Sequence, residues 1–195
     1  RTYSETEIMD FELKSLTPQQ AADLAVDALL VLIPDALSSA KAKTEPALLG
    51  LVRDAVARGD LEEGVGKTLA LHRPVGFKAA RVVLVRAGDA SAAAVRKAVS
   101  VGMGGLKLPQ VRKLGLVLSL LPDADAVVQS GVMAVADTTY VYTHTKPSAK
   151  ARSLRTVTVG VNKAEGVRDG FAMGKAQACG VELAREWANR PANHA

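Results

Sequence analysis

Apolar positions along this chain fall into short runs and helical stripes that predict an alternating succession of strands and helices. From Asp10 to Leu16, apolar Phe11, Leu13 and Leu16 are spaced among polar residues, as in a half-buried strand. Residues 28–33 (ALLVLI) are continuously apolar and are stopped by Pro34, the pattern of a strand covered on both faces. Ser38–Glu45 is polar and reads as a loop. Glu45–Arg58 carries Leu48, Leu49, Val52, Ala55 and Val56 on a helical stripe and ends at Gly59. Thr68–His72 and Arg81–Val85 read as strands. Asp89 or Ser91 can cap a second helix, whose Val95, Ala98, Val99, Gly102 and Leu106 share one face. Leu114–Leu121 predicts another buried strand ended by Pro122. Asp123 is the expected N-cap of a third helix bearing Val127, Val128, Gly131, Val132 and Val135. A polar loop, KPSAKARS, precedes the strand Leu154–Val161. Asn162–Glu165 has the spacing of a capping box and opens a long last helix. That helix runs to about Asn189, where Pro191 forbids continuation.

These six strands and four helices define an α/β layered fold, with a mixed six-stranded sheet and helices on both faces. The first two strands follow each other directly, and strand and helix alternate later. Residues 1–8 precede the pattern as a leader or extension, residues 9–164 form the layered domain, and residues 165–195 hold the long helix and a linker. In the last helix Gly166, Gly170, Gly174 and Ala178 recur every four residues. Each glycine costs roughly 1 kcal/mol against alanine there, so the spacing predicts close approach to another element.

A length of 195 residues suits one domain plus a connecting helix, and roughly 70% of the unfolded surface can be buried at that size. No apolar run reaches the roughly 18 residues of a membrane span, so no membrane partner is expected. The single cysteine, Cys179, excludes an internal disulfide and fits a reducing compartment. It reads as a small core residue, since no local base or cationic setting would activate it. No charged-then-apolar leader opens the chain, which gives secretion no support.

The candidate chemistry thins out on inspection. Gly64-Val65-Gly66-Lys67-Thr68 has the tail of a phosphate loop, but Leu61 stands where the first glycine is needed. A helix precedes the stretch and a strand follows it, the reverse of that motif, so it reads as a turn. His72, His144 and His194 form no ligand pair. Gly102–Gly105 follows a helix and reads as a cap and turn, while Asp60, Glu62 and Glu63 read as solvated turn residues. Two stretches lack acids altogether. Ala90–Pro122 carries Arg96, Lys97, Lys107, Arg112 and Lys113 (apart from the capping Asp89 just before it), and Thr138–Ala164 carries Lys146, Lys150, Arg152, Arg155 and Lys163. Such runs can neutralise phosphates or form a solvated face, and only Tyr140 and Tyr142 offer stacking rings nearby. The net charge of +5 permits an acidic partner without demanding one.

Several segments together resemble the leucyl aminopeptidases: ARGDLEEGVGKTLALHRP at 57–74, RVVLV at 81–85, and VELAREWANRPANHA at 181–195. The resemblance is to the family's N-terminal domain and covers the chain from Met9. Its most specific element is Asn189-Arg190-Pro191-Ala192-Asn193, matching N-x-P-x-N where the long helix crosses to the catalytic domain. The resemblance implies a macro-domain-like fold and a noncatalytic role in a cytoplasmic metalloexopeptidase that releases N-terminal residues from peptides. It places two divalent ions, Mn or Zn, in a C-terminal domain whose N-T-D-A-E-G-R-L signature does not occur here. This chain is then expected to have no catalytic, cofactor-binding or metal-binding residue. The implied partners are its own catalytic domain and other copies in a homohexamer, with DNA as a further partner of some bacterial relatives. Lys146, Lys150, Arg152 and Arg155 are the candidate DNA contacts. The alternative is a stand-alone macro-like module binding ADP-ribose or nucleic acid.

Overall fold

The computed structural model describes residues 9–37, 46–145 and 148–190. The expected leader at 1–8, the polar loop at 38–45, Lys146, Pro147 and residues 191–195 lie outside them. The sheet has six strands: β1 (Asp10–Ser15), β2 (Ala28–Ile33), β3 (Thr68–His72), β4 (Arg81–Arg86), β5 (Lys113–Val117) and β6 (Thr156–Val161), in the order β1-β6-β5-β2-β4-β3. All neighbours are parallel except β3, which runs antiparallel on the β4 edge. The sheet is therefore mixed, as the sequence predicts.

Every residue of β2 is buried because this strand lies at the centre of the sheet with helices on both faces. Leu30 and Leu32 point into a core with α3 (Ala92–Gly102), α4 (Asp125–Thr139) and α5 (Arg168–Asn189). Leu29, Val31 and Ile33 pack on the other face with α1 (Pro18–Ala22) and α2 (Ala47–Ala57). Alternation along one strand thus sorts its side chains between two cores.

α1 interrupts the expected direct succession of β1 and β2. Thr17 and Gln20 form a full capping box: the Gln20 N–H donates to the Thr17 hydroxyl, and the Thr17 N–H donates to Gln20 Oε1 at 2.9 Å. Ser91 is the cap of α3, accepting from the Ala94 N–H.

Two predicted caps are corrected. Asp123 does not cap α4; its carboxylate accepts from the backbone N–H groups of Asn162 and Lys163 at 3.0 and 2.8 Å, holding the turn beyond β6. Asn162 therefore opens no capping box, and its side-chain amide donates to the Leu121 carbonyl instead. β5 also ends at Val117, four residues before the expected limit, because Leu118 and Leu121 close a turn through the Leu121 N–H. Cys179, expected in the core, is exposed on α5.

The four-residue spacing in α5 has the predicted meaning at two positions. A Cβ on Gly170 would lie 2.4 Å from Asp125 backbone atoms, and one on Gly174 would lie 3.1 Å from the Gln129 Cα. At the first of these the Gly170 N–H donates to the Asp125 carboxylate at 2.8 Å, so α4 supplies a cap to the opening turn of α5. Gly166 has no such neighbour.

Candidate functional site

The five parallel strands β1, β6, β5, β2 and β4 begin along one end of the sheet, and the basic segments converge there. Arg112 precedes β5 and Arg155 precedes β6. The Arg155 N–H donates to the Arg112 carbonyl at 2.8 Å, which fixes the two arginines at adjacent strand starts. The loops leading into them are tied as well, since the Ser153 hydroxyl donates to the Leu108 carbonyl at 3.0 Å. Lys107, Arg112, Lys113, Lys150 and Arg155 are all exposed along this end. Asp27 lies among them, but its carboxylate already accepts from the Arg112 and Lys113 backbone N–H groups at 2.9 and 2.8 Å.

The remaining basic residues are placed elsewhere. Arg152 makes a two-pronged ion pair with Glu182 of α5 at 2.7 and 2.9 Å, and its side chain is only 11% exposed. Its guanidinium ties the loop before β6 to the last helix and is not available to a phosphate. Arg96 pairs with Asp137 of α4, which also receives Arg185 of α5. Lys163 follows β6, at the opposite end of the sheet. Lys146 lies outside the described residues. Of the two rings near the second basic stretch, Tyr140 is engaged: its hydroxyl donates to Glu186 at 3.0 Å and Arg185 sits over its face. Burial first, and then the Glu186 carboxylate, push its hydroxyl above the ordinary tyrosine range.

Sequence spacing alone ranked Lys107, Arg112 and Lys113 no higher than the rest of their stretch. Their partnership with Lys150 and Arg155 depends on the β5–β6 pairing, which no local pattern encodes.

The other motifs resolve as structural. Gly66 of the GVGKT stretch has φ +90 and its N–H donates to the Arg86 carbonyl at 2.9 Å, so the segment is a turn that starts β3 beside β4. Lys67 is held by Glu62, and that ion pair lowers the Glu62 pKa. Gly102–Gly105 ends α3 in a 3-10 turn on the way to β5. It therefore lies away from the carboxyl ends of the strands, where ligands seat in open α/β sheets. Among the described residues no three of His, Cys, Asp and Glu converge as metal ligands. The residues present do not fit a two-metal centre. No described helix is long and apolar enough to cross a membrane.

The last helix ends at Asn189, whose side-chain amide folds back to the Arg185 carbonyl at 2.8 Å. Pro191 and Asn193 of the linker motif lie outside the described residues.

Residues 28–149 match the family described as "Cytosol aminopeptidase family, N-terminal domain". A probable cytosol aminopeptidase of Acidovorax sp. (strain JS42) is 43% identical over 187 residues, which are 96% of this chain and 37% of that protein. The corresponding Polaromonas naphthalenivorans protein is 43% identical over 189 residues, 96% of this chain and 36% of its own length. The chain thus spans little more than a third of these relatives. Among solved structures, a tomato leucine aminopeptidase mutant superposes with a TM-score of 0.72 at 17% identity, over 98% of this chain and 40% of the other. A bottromycin maturation enzyme superposes with a TM-score of 0.62 at 23% identity, over 87% of this chain and 34% of the other. At those identities the two structures share the fold.

Proposed function

The chain belongs to the cytosol aminopeptidase family, as its N-terminal domain, and from that premise we propose that it is the noncatalytic part of a cytoplasmic, metal-dependent leucyl aminopeptidase. The parent protein would release N-terminal residues from peptides with two divalent ions, Mn or Zn, held by the catalytic domain that follows. The observation carrying this reading is the family match together with the share of each relative that the chain spans. In this division of labour both ions belong to the catalytic domain. In this proposal residues 9–164 are the layered body, and residues 165–195 are the long helix and linker toward the catalytic half. Assembly into a homohexamer belongs to the same proposal.

The test compares two proteins. The full-length parent is expected to hydrolyse leucine-para-nitroanilide with Mn or Zn added and to lose that activity to a chelator. Residues 1–195 are expected to show none under any metal. Robust metal-dependent turnover by a pure sample of this chain overturns the reading, as does a metal-loaded parent without peptidase activity.

A second reading, DNA contact by the same domain, is favoured by one observation: two acid-free segments, far apart in sequence, meet at one end of the sheet. Its residues are Lys107, Arg112, Lys113, Lys150 and Arg155.

A further inference from the structure

The polar residues of α5 are on the wrong side for a surface helix. Between Ala172 and Trp187 the helix carries five charged or amide side chains, and each engages its own domain. Lys175 donates to the Phe11 carbonyl, and Gln177 accepts from Gln129. Glu182 pairs with Arg152, Arg185 with Asp137, and Glu186 accepts from Tyr140. At about 100° per residue, the opposite side is Ala172, Met173, Ala176, Cys179, Gly180, Leu183, Ala184 and Trp187, with no charge among them, and the Arg190 guanidinium lies over the Trp187 ring at its end, 5.0 Å from the centroid. All are exposed, with Met173 at 53%, Leu183 at 58% and Trp187 at 54%. An ordinary amphipathic helix turns its apolar stripe to the core and its charges to water. Here the buried stripe is only the small residues Gly170, Gly174 and Ala178, and the large apolar side chains Met173, Leu183 and Trp187 face outward.

Gly180 adds an independent observation. It lies mid-helix, where glycine costs roughly 1 kcal/mol against alanine, yet a Cβ there would meet nothing within 4 Å. Gly170 is explained by the α4 backbone and Gly180 by nothing in this domain. A cavity of about 290 Å³ opens beside the stripe, between Met9 and Phe11 of the β1 end and Ala178 and Cys179 of the helix. That is room for a large apolar side chain arriving from outside.

We infer that the outer face of α5 is the seat of the parent's catalytic domain, so that the helix is packed from both sides in the full-length protein. The inference rests on the family reading above. The occupant is argued from the fold and the relatives together: α5 follows the stretch 28–149 that matches an N-terminal domain, and 187 residues of the chain align to only 37% of one relative. The greater part of such a protein therefore follows the helix and can fold back on it. Leu183 and Trp187 are the anchors, and Gly180 permits close approach of the partner's backbone.

Cys179 reports on the face without being altered. Maleimide labelling of Cys179, followed by peptide mass mapping, is expected to be at least tenfold slower in the full-length parent than in residues 1–195. Trp187→Glu or Leu183→Glu in the parent is expected to restore the faster rate. Equal rates in the two wild-type proteins overturn the inference. So does slow, concentration-dependent labelling of residues 1–195 with a dimeric mass, which assigns the face to a second copy. Leucine-para-nitroanilide hydrolysis by the same parent sample separates the two claims. An active parent with an unprotected Cys179 defeats this inference alone. A protected Cys179 in an inactive parent supports the docking face and defeats the peptidase reading.

Discussion

Tyr140 is one residue past α4, yet its hydroxyl reaches Glu186 near the end of α5, and Arg185 lies over its ring 5.4 Å from the centroid. This contact and the Arg152–Glu182 pair hold the second half of α5, where the tight glycine packing against α4 has ended. Burial disfavours the charged phenolate, and the Glu186 carboxylate accepts a hydrogen bond from the neutral hydroxyl but would repel the phenolate, so the folded state keeps the proton above the ordinary tyrosine range. The sign follows from linkage. In the unfolded chain the hydroxyl ionises near pH 10, so the stabilisation is complete below that value and is lost as pH rises through the higher folded pKa. Tyr140→Phe is expected to cost about 1 kcal/mol at pH 8, the size of one net hydrogen bond. The same variant should have a shallower loss of stability between pH 9 and 11 than the parent sequence. Urea melts at those pH values check both statements, and parallel pH profiles would show that Tyr140 does not contribute the alkaline sensitivity.

At the scale of elements, legibility depended on whether a signal was local. The buried run of β2 and the stripes of α2, α3 and α4 could be read because one face of each is committed to a core. α1 carries a complete local signature, Thr17-Pro18-Gln19-Gln20, but its five residues are too few to show a helical period. Asp123 misled for the opposite reason. It has the chemistry of a first-turn cap and uses it across the fold, on the turn after β6, while Asp125 sits in the first turn of α4 and its carboxylate accepts from the first turn of α5. The sequence shows that an aspartate can accept two N–H groups but not whose they are. The glycine spacing of α5 was readable as a close approach, though the partner was not. Gly170→Ala tests that approach. Helix propensity favours the alanine by roughly 1 kcal/mol, but its Cβ would lie 2.4 Å from the Asp125 backbone, which cannot rotate aside. Overpacking costs of about 1–3 kcal/mol are usual, and a backbone obstacle belongs at the upper end, so a net loss of about 2 kcal/mol is expected in a thermal melt. A stabilised Gly170→Ala protein would mean that α5 and α4 do not approach as described.

On the scale of the whole molecule, the domain offers two surfaces with different physics. From Ala172 to Leu183 the outer face of α5 is apolar and uncharged, suited to a permanent neighbour that excludes water. The start of the parallel strands is cationic and exposed, suited to a reversible, salt-sensitive one. Topology makes the second surface. β5 and β6 are adjacent and parallel, so the segments that lead into them, 107–112 and 148–155, come to the same end of the sheet with their cations side by side. A duplex carries a phosphate charge for about every 1.7 Å of its axis, so a short row of cations can neutralise several together. Arg152 must be left alone in testing this, because reversing it would set a carboxylate against Glu182 in a mostly buried pair. The informative variant is Lys107→Glu, Arg112→Glu and Lys150→Glu together, in the full-length parent. All three side chains are exposed. If each meets one phosphate, the slope of log affinity against log salt should become shallower by roughly 3 between 50 and 200 mM. Duplex binding at low salt should weaken at least tenfold, while hydrolysis of leucine-para-nitroanilide stays unchanged, since the substitutions lie outside the catalytic domain. An unaltered slope and affinity in that triple variant would leave this end of the sheet as a solvated cationic surface.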